Sequence, residues 1–319
     1  MDTRARRLRV CLGALVILAA FVVPTTASAE LPRTYVDASG SDSNDCTRPT
    51  PCATFQRAHD QTSPNGEINA LTPGNYSSLV INRPITIDGN GTEASITPFG
   101  AGITVNLPAR GRVILRDIRI NVGANLGVTG IHVLNSATVV AEDLRISGGS
   151  GPGIRVEHGG AVTRLMVDDT RIHGSASQGI RLAPAGGVVR ATIRDTRIDD
   201  NEGAAVLVSP TGGGIARATI RGSHIDGNLN GVNIQSAGGI ATANVFNTGI
   251  SDSGLDPDGP GIAIQSNGAN ATARIGRNEI QHNVRGLQAT NGGKILSAGD
   301  NDVVGNITNG APTGNWARM

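Results

Sequence analysis

The chain has 319 residues, 44 of them Gly and only 2% aromatic, and its formal charge is +1. So few rings exclude the compact core that a globule of this length builds around Phe, Tyr and Trp, and favour a thin, layered core with many tight turns. The near-neutral charge excludes a bulk nucleic-acid binder.

The chain opens on a basic stretch, Arg4, Arg6, Arg7 and Arg9, followed by an apolar run over residues 12–23. That run is too short to span a bilayer as a helix. Ala27-Ser28-Ala29 then fits the small-residue cleavage rule. Residues 1–29 are therefore expected to be an export signal, cut before Glu30; an uncleaved anchor is the alternative. Cleavage takes four of the 27 basic and one of the 26 acidic residues, leaving 23 against 25, a net charge of −2. No second long apolar run follows, so no transmembrane segment is expected and the mature chain should be secreted, to the exterior or the periplasm. Cys11 leaves with the signal. Cys46 and Cys52 remain, an even pair that suits an oxidising compartment, and a disulfide across so short a loop is worth about 2 kcal/mol. A two-Cys metal site would have only His59 nearby.

Residues 30–66 read as an N-terminal cap segment. Residues 53–62 have weak helical character and end at the turn Ser63-Pro64-Asn65-Gly66, and a short helix there would cover the open end of a repeat stack. The first strands are expected at residues 67–71, 79–81 and 85–87.

From there a repeat runs to residue 305. The segments ITV at 103, IHV at 131, IRV at 154, IRL at 180, VLV at 206, VNI at 232, IAI at 262 and LQA at 287 recur every 23 to 30 residues. Each alternates inward apolar and outward residues. A second motif recurs between them: VILRDIRI closing at Ile120, VVAEDLRI at Ile146, LMVDDTRI at Ile172, ATIRDTRI at Ile198 and ATIRGSHI at Ile225, with weaker copies at Ile250, Ile280 and Val303. Seven before the closing residue stand Val113, Val139, Leu165, Ala191, Ala218, Ala243, Ala273 and Leu296. Five before stand Leu115, Ala141, Val167, Ile193, Ile220, Val245, Ile275 and Ala298. Three before stand Asp117, Asp143, Asp169, Asp195, Gly222, Asn247, Arg277 and Asp300, mostly types that tolerate a left-handed corner. Six before, an outward column begins with Ile114, Val140 and Met166. One unit cannot bury its own inward face, so the units must stack. The pattern predicts an all-β chain: a right-handed parallel β-helix solenoid with three strands per coil and a short N-terminal helical cap. Residues 306–319 read as a loosely ordered tail.

These repeats resemble those of bacterial right-handed β-helix proteins of the pectate-lyase-like superfamily. The opening YVDASGSDSNDCTRPTPCATFQRAHD, then GEINALTPGNY and ITIDGNG, resembles the N-terminal segment common in secreted members. The resemblance covers about residues 35–303. It implies the fold, but the fold hosts lyases, hydrolases, epimerases, adhesins and inert scaffolds. Family hydrolases use neighbouring Asp residues, a Gly-His-Gly turn and an Arg-x-Lys. Here His158 and His173 precede Gly but do not follow one, and Lys294, the only Lys, has no Arg two before it.

Three constellations remain. His132, Arg155, Glu157 and Arg181 fall on outward positions of stacked strands, where Arg can hold a uronate carboxylate and His or Glu can move a proton. A solvated, mutually satisfied ion pair is the alternative. Arg119, Arg145, Arg171 and Arg197, then His224, form a cationic column that would match a polyanionic chain, or else a structural ladder neutralised by the Asp corner column. Acidic loops carrying Asp199, Asp226 and Asp256 can hold Ca²⁺ or be ordinary turns; no other cofactor is expected. The first functional expectation is a secreted non-catalytic β-helix protein that binds carbohydrate or a surface component. The alternatives are a polysaccharide lyase or hydrolase acting on an acidic polysaccharide, and a structural or adhesive cell-surface protein.

Overall fold

The computed structural model describes residues 30–98, 100–108, 110–123, 128–135, 138–158, 160, 162–254 and 260–316. The expected export signal, residues 1–29, lies outside them. Every strand pairing is parallel, and the strands form three sheets that the chain visits in rotation. Sheet 1 has twelve strands, from Leu31–Val36 to Gly314–Asn315; sheet 2 has ten, from Gly74–Asn75 to Asp302–Val303; sheet 3 has nine, from Leu79–Ile81 to Arg285–Thr290. One circuit through the three sheets is one coil. This is the three-strand parallel β-helix that the columns predict.

The inward columns stack as the repeat requires. Val113, Val139, Leu165, Ala191, Ala218, Ala243 and Ala273 follow one another in register on sheet 1, all at most 3% exposed. The last coil departs from the expected alignment: Ile295, not Leu296, continues this column, and Ser297, not Ala298, continues the next. Its corner holds one more residue, with Gly299 in the left-handed conformation in place of Asp300. On sheet 3, Val232 pairs with Ile264, so Gln265 and not Ala263 faces outward, and Ala263 is fully buried.

The corner between sheets 1 and 2 turns through one left-handed residue per coil: Asp117, Asp143, Asp169, Asp195, Gly222, Asn247 and Arg277 all have φ between 45° and 62°. Arg277 has no short side chain to ease that conformation; its backbone N–H is held by the Asp300 carboxylate at 3.0 Å. A second corner, between sheets 2 and 3, turns at Gly174, Asp200, Gly227, Asp252, His282 and Gly305. Behind it stands a ladder of side chains, buried except for the half-buried Asn306 at its end: Asn201 Oδ1 accepts from Ser175 N, Asn228 Oδ1 from Asn201 N, Asn283 Oδ1 from Ser253 N and Asn306 Oδ1 from Asn283 N, all at 3.0–3.1 Å. Each amide thus meets a backbone N–H at a corner where no strand partner can reach it.

Two expectations about the ends need correction. Ser63–Gly66 is not a turn outside the sheet but part of strand Thr62–Ala70, which pairs with Leu31–Val36, a strand not read from the sequence. The register jumps between Leu31↔Thr62 and Arg33↔Glu67, and this irregularity accommodates Pro64 and the left-handed Asn65. The chain after Asn306 is tied down rather than loose. Gly314–Asn315 adds a strand to sheet 1, and Trp316 packs on Phe246 and donates to the Ile275 carbonyl.

The helix Phe55–Gln61 starts at Thr54, whose Oγ1 accepts from Arg57 N, and buries Phe55 and Ala58 over the first coils, with the Phe55 ring 5.0 Å from that of Tyr76. The Cys46–Cys52 disulfide fastens the segment before it, and Cys52 bridges to Val36. Among the described residues no helix is long and apolar enough to cross a membrane.

Candidate functional site

Strand alternation on a solenoid produces long outward columns, so any site here is built from side chains stacked about 4.8 Å apart along the axis. The structure brings together the cluster expected on sheet 3. His132 pairs in register with Arg155, and Arg155 with Arg181. Glu157 sits between the two arginines, 2.5 Å from Arg155 Nη2 and 3.6 Å from Arg181 Nε, and so ties up both. His132 Nε2 is buried and has no hydrogen-bond partner among the described residues. Burial, helped by the Arg155 charge, holds its imidazole below the usual histidine range, so it is neutral at pH 7. His158, next in sequence to Glu157, is lowered by burial alone.

The column on sheet 2 is also in register, through Arg119, Arg145, Arg171, Arg197 and His224. Its neutralising partners are not the corner Asp residues. Arg119 pairs with Glu93 at 2.7 Å, and Arg171 and Arg197 share Asp199 at 2.7 and 3.3 Å. Asp199 is buried beside the column as the shared counter-ion, and Arg145 and His224 make no ion pair among the described residues. Three of the four arginines of this column are thus held in ion pairs. The corner carboxylates instead face one another across coils, and burial, with the neighbouring charges of Asp117 and Asp169 added to it, raises Asp143.

Of the three acidic positions considered for calcium, Asp199 is thus committed to two arginines. Asp226, its register neighbour, accepts from Ser251 Oγ at 2.7 Å. Asp256 lies outside the described residues. Among those described, no three His, Cys, Asp or Glu gather as a metal site requires.

Sheet 1 carries a feature not read from the sequence. Its outward face has three columns. The first runs Arg112, Thr138, Arg164, Arg190, Arg217 and Thr242 in register. The second runs Ile114, Val140, Met166, Thr192 and Thr219, of which Val140 is buried and the rest half-buried. The third runs Arg116, Glu142, Asp168, Arg194 and Arg221. In the third column charges cancel: Arg116 pairs with Asp88 and Glu142, Arg194 with Asp168, and Arg221 lies over the Phe246 ring. In the first they do not. Arg112, Arg164, Arg190 and Arg217 are exposed and make no ion pair among the described residues. Arg110, Arg112, Arg164 and Arg190 line a groove of about 390 Å³. The signal was present in the repeat: these arginines stand eight residues before Ile120, Ile172, Ile198 and Ile225. Three consecutive guanidinium groups at strand spacing repel by about 0.9 kcal/mol per neighbouring pair even in water, a cost that a bound anion would relieve.

A family model described as right handed beta helix region matches residues 129–308. Among solved structures, pectate lyase Pel9A matches with a TM-score of 0.57 at 16% identity, over 84% of this chain and 68% of that one. A GH136 lacto-N-biosidase from Eubacterium ramulus matches with a TM-score of 0.42 at 11% identity, over 85% of this chain and 67% of that one. The A-module of the mannuronan C-5 epimerase AlgE4 of Azotobacter vinelandii matches with a TM-score of 0.36 at 12% identity, over 80% and 91%. No curated protein matches by sequence. At 16% identity the match to pectate lyase Pel9A speaks for the fold alone.

Proposed function

The chain belongs to the right-handed β-helix family, and from that premise we propose that it binds an acidic polysaccharide along sheet 1 without cleaving it. The observation that carries this reading is the column of Arg112, Arg164, Arg190 and Arg217, exposed and, among the described residues, without counter-ions, in a protein whose other outward arginines are largely paired. Arg presents a planar fork that meets carboxylates bidentately, and a linear polyuronate offers such groups at regular intervals. The half-buried stripe of Ile114 and Met166 beside the column suits the apolar face of a sugar ring. Nucleic acid is disfavoured because this part of the face has no aromatic side chains on which bases could stack. On the same strands, Glu142 and Asp168 are held by Arg116 and Arg194, so neither stands as a free acid or base beside the column. Export fits the same reading, since the Cys46–Cys52 disulfide belongs to an oxidising compartment.

The test is titration of the mature protein with polygalacturonate and with alginate at two salt concentrations. Binding should weaken as salt rises. Replacing Arg164, Arg190 and Arg217 together by Ala should cost about tenfold or more in affinity. No binding at low salt, or an unchanged triple variant, overturns the proposal.

A second reading, elimination from a uronate at the sheet 3 cluster, is favoured by the neutral, unpartnered His132 beside Arg155. In it Arg155 exchanges Glu157 for the uronate carboxylate, His132 takes the proton on the adjacent carbon, the C–O bond to the departing sugar breaks as the C=C bond forms, and the leaving oxygen takes a proton from water. Release of unsaturated sugar ends, lost in His132→Ala, would support it; intact polymer after prolonged incubation would exclude it.

A further inference from the structure

The outward column of sheet 2 is interrupted at one point. Arg119, Arg145, Arg171, Arg197 and His224 project on successive coils, Gly249 follows, and Glu279 resumes the column. A surface notch of about 440 Å³ lies over this strand, with Gly249 in its floor.

Nothing in the fold asks for glycine there. Gly249 is not among the residues in the left-handed region, and a Cβ built on it would meet only the His224 ring, with Nδ1 at 3.4 Å, an ordinary contact. This contrasts with Gly222 on the neighbouring corner, whose φ of 62° does demand it. Glycine inside a strand weakens the strand and gives it no side chain to pack. The consequence of Gly249 that the structure displays is therefore the space itself.

The walls indicate what fits. On the coil before Gly249 stand the imidazole of His224 and the carboxylate of Asp226, with Arg197 one coil further back and 3.9 Å from Asp226. On the coil after it stand Glu279, exposed and without an ion pair among the described residues, and Gln281, with the 69% exposed Arg277 at the corner, while Ser251 flanks Gly249 on its own strand. Cations and carboxylates nearly balance, so the notch exerts no net pull on a charged ligand. What it offers is donors and acceptors at close quarters. A neutral sugar with vicinal hydroxyls, each both donor and acceptor, is complementary to that lining. The volume lies at the small end of small-molecule sites, about 300–1,000 Å³.

We propose that the Gly249 notch on sheet 2 is a binding site for a neutral sugar residue. It is separate from the arginine column of sheet 1, and either can fail without the other.

The experiment is saturation-transfer NMR of the mature protein with glucose, galactose, mannose, rhamnose and cellobiose, followed by titration of any that respond. At least one should bind in about the millimolar range. Gly249→Gln should intrude on the notch and weaken the signal about tenfold or more, with the circular dichroism spectrum and polygalacturonate binding unchanged. Glu279→Gln leaves the backbone untouched and should weaken binding by about tenfold. The proposal is overturned if none of the five sugars binds, or if both variants bind as the wild type does.

Discussion

Asn228→Ala removes one rung of the corner ladder. The side chain is 1% exposed and makes four hydrogen bonds: Oδ1 accepts from Asn201 N at 3.1 Å and Asn201 Nδ2 at 2.8 Å, and Nδ2 donates to the Ile198 and Asp226 carbonyls, both at 2.9 Å. Not all four losses weigh equally. Asn201 Nδ2 keeps the Asp199 carbonyl, and the Asp226 carbonyl keeps the Asp200 N–H. The Asn201 N–H, in contrast, is left buried without that acceptor. With about 1 kcal/mol for each ordinary bond and 1–3 kcal/mol for a stranded buried donor, the variant should lose about 3–5 kcal/mol. Asn228→Asp restores the acceptor but neither donated bond, and it buries a charge, so it should be no more stable than the Ala variant. Equilibrium urea unfolding followed by circular dichroism reads this as a lower midpoint at unchanged slope. A loss below about 1 kcal/mol would refute the claim that the ladder closes the corner's hydrogen-bond account.

Ala218 sits between Ala191 and Ala243 with 1% exposure, so Ala218→Phe should overpack the core and cost about 1–3 kcal/mol or more in the same assay; unchanged stability would show that the column has room to give. Stability should also fall as the solution is acidified below pH 6.5, the ordinary histidine value. Burial holds His59, His132 and His158 below it, so the unfolded chain takes up protons in a range where the folded chain does not. Urea midpoints at falling pH should show this, and His132→Asn should flatten part of the decline; a midpoint that rises on acidification contradicts the assignment.

Much of the architecture is written in the order of residues. Alternation at Ile131-His132-Val133 and its copies, with Asp117 and its successors at a left-handed corner, specifies strands, their inward faces and their stacking, because a short strand with one apolar face has no other way to bury it. The Asn ladder and the arginines at positions 112, 164, 190 and 217 were equally periodic, and they went unread because polar columns look alike until their partners are known. What the repeat could not settle was length variation between coils: Ala263 against Gln265, or Leu296 against Ile295, turns on where an extra residue is absorbed, and a shift of one residue reverses the faces. Nor could it settle charge. Whether a guanidinium is a ladder rung or a free binding group depends on a carboxylate a full coil away, as Asp199 is from Arg171 and as none is from Arg190 among the described residues. Residue types and periods fix which groups face water; only the tertiary structure decides which of those groups already have a partner.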